Sequence, residues 1–399
     1  MTSLDVHLMC AVLIALPLSF VVGRLAVSAG FPVTPLDDRL GHVDGLRALL
    51  ALFVVFHHFI IWTDIVVVGR SWQAPSVALF NNLGTGAVAI FFMITGLVFY
   101  PRIIAGIDRV RWRQIYISRA FRILPLSVLV TVVVAAGSAA IMGGLHDAGP
   151  LHLARVAADW ISGRSEPPIF GYADSMRMNA GVMWSLGYEW LFYLAILPSA
   201  SALAFALRGR APAVVVPLGL LVLSLVIQIL LPYRPWPVFL MLFSLGMLVA
   251  ELRASMVVRR TLAGPVVAAG VITVTLLGMT LCAKPYHPLL AAAYASLLLT
   301  VASGNSLFGL LSTRTARAIG DASFSIYMLH GLVLFAVVPN IRLDHGVAPL
   351  MWLPLLAGAV VALSLGTYVV FERPMITVGK RVSGWSPKRD RSLAIEAAP

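Results

Sequence analysis

The sequence predicts an all-α polytopic integral membrane helix bundle of about 10–11 transmembrane helices, and three observations predict it. Sixty per cent of its 399 residues are hydrophobic, only 12% are charged, and the mean hydropathy is +0.92. An ordinary soluble domain carries roughly 25% charged residues. The apolar residues gather into runs of about 17 to 25, the length a helix needs to cross a hydrocarbon core roughly 30 Å thick. Basic residues collect in alternate connections between those runs, as cytoplasmic loops do.

In chain order the predicted spans are residues 8–29, 44–62, 78–100, 124–144, 183–206, 212–231, 237–251, 264–282, 288–304, 322–341 and 349–371. The first resembles a signal peptide in its apolarity. However, MTSLDVHLMC has no Lys or Arg ahead of the run, and Arg24 follows it, so it is expected to stay as a helix with its N-terminus outside. The span 237–251 is the shortest. The connection after the third span, PRIIAGIDRVRWRQIYISRAFR, carries six arginines and is placed inside. Alternation then puts residues 208–210, 253–260, 312–317 and the C-terminal tail inside as well, with 22 of the 29 Lys and Arg residues on that side. The expected location is the cell inner (plasma) membrane.

The net charge of +12 and pI near 10.3 follow from this loop asymmetry. A nucleic-acid-binding protein would present its excess on a compact basic fold, which is absent here. Cys10 and Cys282 both sit in apolar segments, define no metal or redox spacing and read as small buried hydrophobes; no metal is expected. No linker or internal repeat divides the chain. The longest outer segment, residues 145–182, has an amphipathic centre that suits either a cover over an outward site or a plain connector.

Within DGLRALLALFVVFHH, Arg47 and His58 stand eleven positions apart. At about 100° per residue that is three turns plus roughly 20°, so both share one helical face, about 16 Å apart along the axis. His58 is flanked by Val54 and Phe56, and an ionisable residue at such depth faces a bundle interior or a water-filled cavity. A neutral imidazole bonded to a neighbouring helix, and an arginine snorkelling to the interface, account for the pair without chemistry. His57 lies about 100° round the helix and is expected to face elsewhere.

Two further helices carry polar stripes. In WSLGYEWLFY, Ser185, Glu189 and Tyr193 repeat at four-residue spacing, and Glu189 inside a membrane helix requires a partner such as Arg47. In DASFSIYMLH, Ser323, Tyr327 and His330 share a face, which a helix–helix hydrogen-bond seam also explains. Asp44 and Asp321 read as N-caps at the inner starts of spans. Arg119 and Arg122 are one turn apart if helical, and with Arg109, Arg111 and Arg113 they make a basic funnel. Positive-inside signalling and anionic lipid explain the number of these arginines but not the Arg-x-x-Arg spacing. Paired guanidinium forks suit phosphate-bearing ligands such as a coenzyme A thioester.

The Arg-x10-His helix resembles the hallmark of the membrane acyltransferases called acyltransferase 3. Other pieces resemble that family's motifs in its own order: GTGAVAIFFMITGLVFY, with Thr95 where serine is more usual, ISRAFRILP, WSLGYEWLFYLAILP, FSLGMLVAEL, IGDASFSIYMLH and FERP. The resemblance covers residues 43 to about 375. It divides the chain into an extra N-terminal helix and inner loop at 1–43, a membrane domain at 44–375 and a basic cytoplasmic tail at 376–399. The extra helix departs from the usual ten-span pattern.

The resemblance implies an enzyme that moves an acyl group, short and most simply acetyl, from cytoplasmic acyl-CoA to a hydroxyl of a sugar, a glycan or a macrolide-type product. His58 would act as general base, a role suited to a side chain titrating near neutrality. Arg47 and Glu189 would orient the site or stabilise charge. Arg119, Arg122, Tyr193, Ser185, Tyr327 and His330 would bind substrate. The sequence leaves open direct transfer or a covalent acyl-histidine step. A proton-coupled transporter would also bury His and Glu, but no inverted repeat or paired broken helices are seen; a membrane scaffold or sensor is the third reading. Twenty-six Arg against three Lys hint at a GC-rich bacterium.

Overall fold

The computed structural model describes residues 2–35, 40–146, 149–343 and 348–384. Among them the chain is helical and has no strand. The helices are α1 (Ser3–Ser28), α2 (Gly41–Val68), α3 (Ala78–Ala105), α4 (Trp112–Met142) and α5 (Pro150–Ser162). They continue with α6 (Trp184–Leu207), α7 (Val215–Leu230), α8 (Trp236–Leu252), α9 (Pro265–Leu281) and α10 (Pro288–Ala302). The series ends with α11 (Arg314–Asp321), α12 (Ser323–Val337) and α13 (Ala348–Val382).

Each of the eleven predicted spans has a helix. Seven segments, α1 to α4, α6, α13 and Ser323–Asn340, which holds α12, are long and apolar enough to cross a bilayer on their own. The other four, α7 to α10, run only 15 to 17 residues. At 1.5 Å per residue they cover about 22 to 26 Å, short of the hydrocarbon core, so neighbours must shelter their ends. The chain is a multi-pass membrane protein, an all-α bundle.

Helix ends depart from the hydropathy pattern where polar residues continue a helix. Leu40 precedes α2, so Asp44 lies inside the first turn, 3.2 Å from Arg47, rather than capping it. Asp321 closes α11 and accepts hydrogen bonds from the Thr34 backbone N–H and hydroxyl, each at 2.9 Å. Neither aspartate is an N-cap, because the helices begin elsewhere. The chain between 376 and 382 extends α13, while residues 385–399 of the expected tail lie outside the described residues. Cys10 faces outward from the bundle and Cys282 is half-buried, so the expectation of two buried thiols fails for Cys10.

α2 and α3 form the enclosed centre. Small residues allow backbones to approach where lipid supplies no hydrophobic drive between helices. At the α3–α8 crossing, a Cβ on Gly96 would overlap the Phe243 carbonyl and one on Gly246 the Met93 carbonyl. The N-terminal α1 packs along α13 and α11, with Phe31 and Tyr368 rings 5.6 Å apart. In the segment 145–182, α5 buries Val156 and Trp160, and the Trp160 indole donates to the Pro167 carbonyl at 2.9 Å.

Two helices contain a widened turn. Phe192–Ile196 in α6 and Tyr368–Glu372 in α13 are π-helical, and each is followed, after one intervening residue, by a proline: Pro198 and Pro374. A proline offers no N–H to the carbonyl four residues back and crowds it. Opening the preceding turn relieves that crowding, and such turns gather at functional sites. They set Tyr193 and Glu372 in place.

Candidate active site

Arg47 and His58 do share a face of α2, and that face meets α12. The Arg47 guanidinium donates to Asp44 at 3.2 Å and to the Ser323 hydroxyl at 2.8 Å. About three turns further along α2, His58 meets His330 of α12, whose Nε2 lies 3.0 Å from His58 Nδ1. His57 turns the other way, its Nδ1 3.0 Å from the Phe80 carbonyl and its ring against Gly84.

Beside Arg47 opens a cavity of about 220 Å³. Seven of the nine catalytic and substrate-binding residues expected from the sequence line it: Arg47, Arg119, Arg122, Ser185, Glu189, Tyr193 and Tyr327, with Ser323 beside them. Its apolar wall comes from α3, chiefly Phe91, Phe92, Val98 and Phe99, with Thr95 among them. Arg119 and Arg122 reach it because the segment is helical from Trp112, which places them one turn apart on α4. Arg119 lies over the rings of Phe99 and Tyr193, at 5.1 and 5.7 Å. The Glu189 carboxylate accepts from the Tyr193 hydroxyl at 2.6 Å, and no ion pair joins it to Arg47 among the described residues.

A second cavity, about 320 Å³, adjoins the first at Val98, Phe99 and Arg119. It is lined by Arg102, Arg109, Arg111 and Lys380 and sits at the arginine-rich end of the bundle. Arg113 does not line it. Side by side, the two cavities make a positively charged recess, suited to an anion at its mouth and a narrow arm inside.

His58 and His330 do not line this recess. They form a separate pair, reached through Tyr327, whose ring centroid lies 6.2 Å from that of His330. The Tyr327 hydroxyl donates to Ser185 Oγ at 2.8 Å, which ties the histidine pair's helix to the cavity wall. On its other side half-buried His58 faces Trp72, the two rings nearly parallel with centroids 6.4 Å apart.

Sequence reasoning missed two carboxyl groups here. Glu372 is buried, accepts from the Ser325 hydroxyl at 2.6 Å, and lies within electrostatic reach of Arg122 and Arg47. Its signal was a lone glutamate in an apolar run, within the quoted FERP motif. Glu166 lies in the loop after α5, and its carboxyl takes the backbone N–H groups of Met183 and Trp184 in the turn that starts α6, while Oε2 has no partner among the described residues. Burial pushes it up to about 7. No hydropathy pattern marks such a residue. Among the described residues no three His, Cys, Asp or Glu side chains gather as a metal-binding group.

No curated protein and no solved structure matches the chain. A family model does, that of the acyltransferase domain, and it spans residues 40–369, which include every residue lining the first cavity and both histidines. On that match, over more than three quarters of its length, this chain belongs to the acyltransferase 3 family.

Proposed function

We propose that this protein transfers a short acyl group from acyl-CoA to a hydroxyl of a carbohydrate or a glycosylated, macrolide-type product, with His58 as general base. The observation that carries the reading is the charged recess: a basic mouth at Arg102, Arg109, Arg111 and Lys380 leading to a narrow, partly apolar cavity that abuts the histidine pair's helix. The phosphates of coenzyme A suit the mouth, through the fork geometry of arginine, and its extended thioester arm suits the cavity. The arginine-rich end then faces the cytoplasm, where acyl-CoA is found, and the protein sits in the plasma membrane with its N-terminus outside. On this reading the acceptor arrives from the opposite end, on the Trp72 side of His58.

The chemistry balances as a single transfer. His58 Nε2 takes the acceptor's hydroxyl proton as the oxygen attacks the thioester carbonyl; the C–S bond breaks, and the proton passes to the departing thiolate. The products are an ester and free coenzyme A. Arg47, Arg119 and Arg122 hold the donor's charged groups within the recess. Glu189 holds Tyr193 and balances part of the arginine charge.

The test is transfer by purified protein from radiolabelled acetyl-, propionyl- and longer acyl-CoA to a panel of extracted glycans and small glycosides, with His58→Ala beside wild type. Wild type is expected to label an acceptor and the folded variant to lose about 1,000-fold in rate. A fully active variant overturns the general-base role, and movement of an intact solute without acylation overturns the enzyme.

A further inference from the structure

His330 was expected to touch substrate, yet it is fully buried and lies outside the recess. Its surroundings specify another task. His330 Nδ1 lies 3.1 Å from the carbonyl of Ile326, one turn back on its own helix. A carbonyl only accepts, so in the neutral ring Nδ1 carries the proton and Nε2 holds the lone pair. That lone pair faces His58 Nδ1 at 3.0 Å and needs a donor. His58 Nδ1 lies 3.0 Å from the Val54 carbonyl as well, which also selects Nδ1–H. The two carbonyls and the inter-ring contact agree on one proton arrangement. It leaves His58 Nε2 deprotonated, without a hydrogen-bond partner among the described residues, on the half-buried ring of the pair.

We propose that His330 is a positioning residue for His58: its Nε2 accepts from His58 Nδ1–H, fixing the base's ring so that the lone pair of Nε2 is presented to the acceptor hydroxyl. This deepens the general-base reading above and rests on it. When His58 takes the hydroxyl proton, its Nδ1–H becomes part of an imidazolium and the bond to His330 becomes charge-assisted. No proton crosses to His330. A carboxylate plays this part in serine hydrolases; a neutral imidazole does it here without burying a second charge in an apolar bundle.

The packing around His330 holds that geometry. Tyr327, one turn earlier on α12, is pinned by the Ser185 hydroxyl and by the Val182 carbonyl at 3.1 Å. Gly331, the next residue, presses on the Asn179–Ala180 backbone with no room for a Cβ. α12 therefore has little freedom to slide or turn, and His330 stays in register with His58.

Two measurements test the proposal. In 15N spectra of histidine-labelled wild-type protein in detergent, His58 is expected to show a protonated Nδ1 and a lone-pair Nε2, with a coupling across the hydrogen bond to His330 Nε2. The opposite tautomer, or no coupling, overturns it. In the transfer assay, folded His330→Leu is expected to lose about 100-fold or more in kcat with KM for acetyl-CoA unchanged within about threefold. His330→Gln keeps an acceptor at similar reach and is expected within about tenfold of wild type; His330→Asn, too short to reach, is expected to behave like Leu. Equal losses in Gln, Asn and Leu, or a fully active Leu variant, overturn the positioning role. An inactive His58→Ala beside an active His330→Leu sinks this inference alone, whereas an active His58→Ala sinks the reading beneath it. Should His330→Leu fail to fold, the spectra of wild type still decide.

Discussion

The two ends of the α2–α12 contact use polar groups in opposite ways. At the arginine end, Arg47 is held by a carboxylate and a hydroxyl, opens onto the recess and is surrounded by further charge from Arg122 and Glu372. At the histidine end two neutral rings meet each other and their own helices' carbonyls, among apolar residues and away from the recess. The difference teaches that one face of one helix can hold a charge for binding and a lone pair for chemistry, provided that the two are kept apart by distance and by hydration. The recess is roomy enough for water, which screens its charges. The histidine pair is not, so its hydrogen bonds persist.

Beyond the histidine variants described above, breaking the arginine end should have the largest effect. Arg47→Gln removes a charge that both anchors Asp44 and faces the donor, and kcat/KM for acyl-CoA is expected to fall about 100-fold, the order of loss when one partner of a buried charged contact to a bound anion is removed. If the loss appeared in the acceptor's KM alone, the division of labour drawn here would be wrong. At the histidine end, Gly331→Ala forces the α12 backbone off the 179–180 turn while leaving Ser323 and Arg47 in contact. It should destabilise by about 1–3 kcal/mol and lower kcat with little change in KM for acyl-CoA. A melting curve in detergent with parallel kinetics would separate these.

A smaller effect is expected at Glu166, whose carboxyl titrates near 7 in the fold against an ordinary 4.5. Its folded-state value is raised, so the protonated form is favoured by folding: stability from this group is complete below about pH 4.5 and is lost as pH rises through 7. With its partial exposure discounted, wild type should lose about 1–2 kcal/mol relative to Glu166→Gln between pH 5 and pH 8. Parallel pH–melting curves for the two proteins would show this group to be correctly placed only if they diverge between about pH 4.5 and 7 and run parallel above it. Smallest of all, Asp321→Asn keeps one of the two bonds from Thr34 and should cost about 1 kcal/mol or less, with transfer unchanged; a loss of activity would show that α1 steers the arginine end.

Much of this was legible in the sequence. Hydropathy located all eleven apolar helices, and simple helical phase put Arg47 with His58 and grouped Ser185, Glu189 and Tyr193. Pairing between helices was not legible: nothing in the chain near His58 says that its partner is 272 positions away on α12. Periodicity tells which way a side chain faces, not what stands opposite. Glu189 was expected to need a partner such as Arg47, but it is Tyr193, one turn on along α6, whose hydroxyl bonds it, 2.6 Å away. Helix ends were misjudged by twelve residues at the start of α4 and eleven at the end of α13, where polar residues continue the helix past the apolar run. Glu166 was missed because its role comes from a turn's backbone donors, which carry no side-chain pattern.

The two proline-pinned π turns have a further consequence for how this bundle is assembled. Each holds one more residue than an α turn, so everything beyond it is offset by about 100° in azimuth from the phase of the preceding half. α13 can therefore lay its first half along α1 and α12 and turn its second half toward α4 without a bend or a loop. Deleting a single residue between 368 and 372 would restore the ordinary phase and swing Glu372 or everything after it away from the arginines. The spacing of FERP is in that sense an angle written as a length.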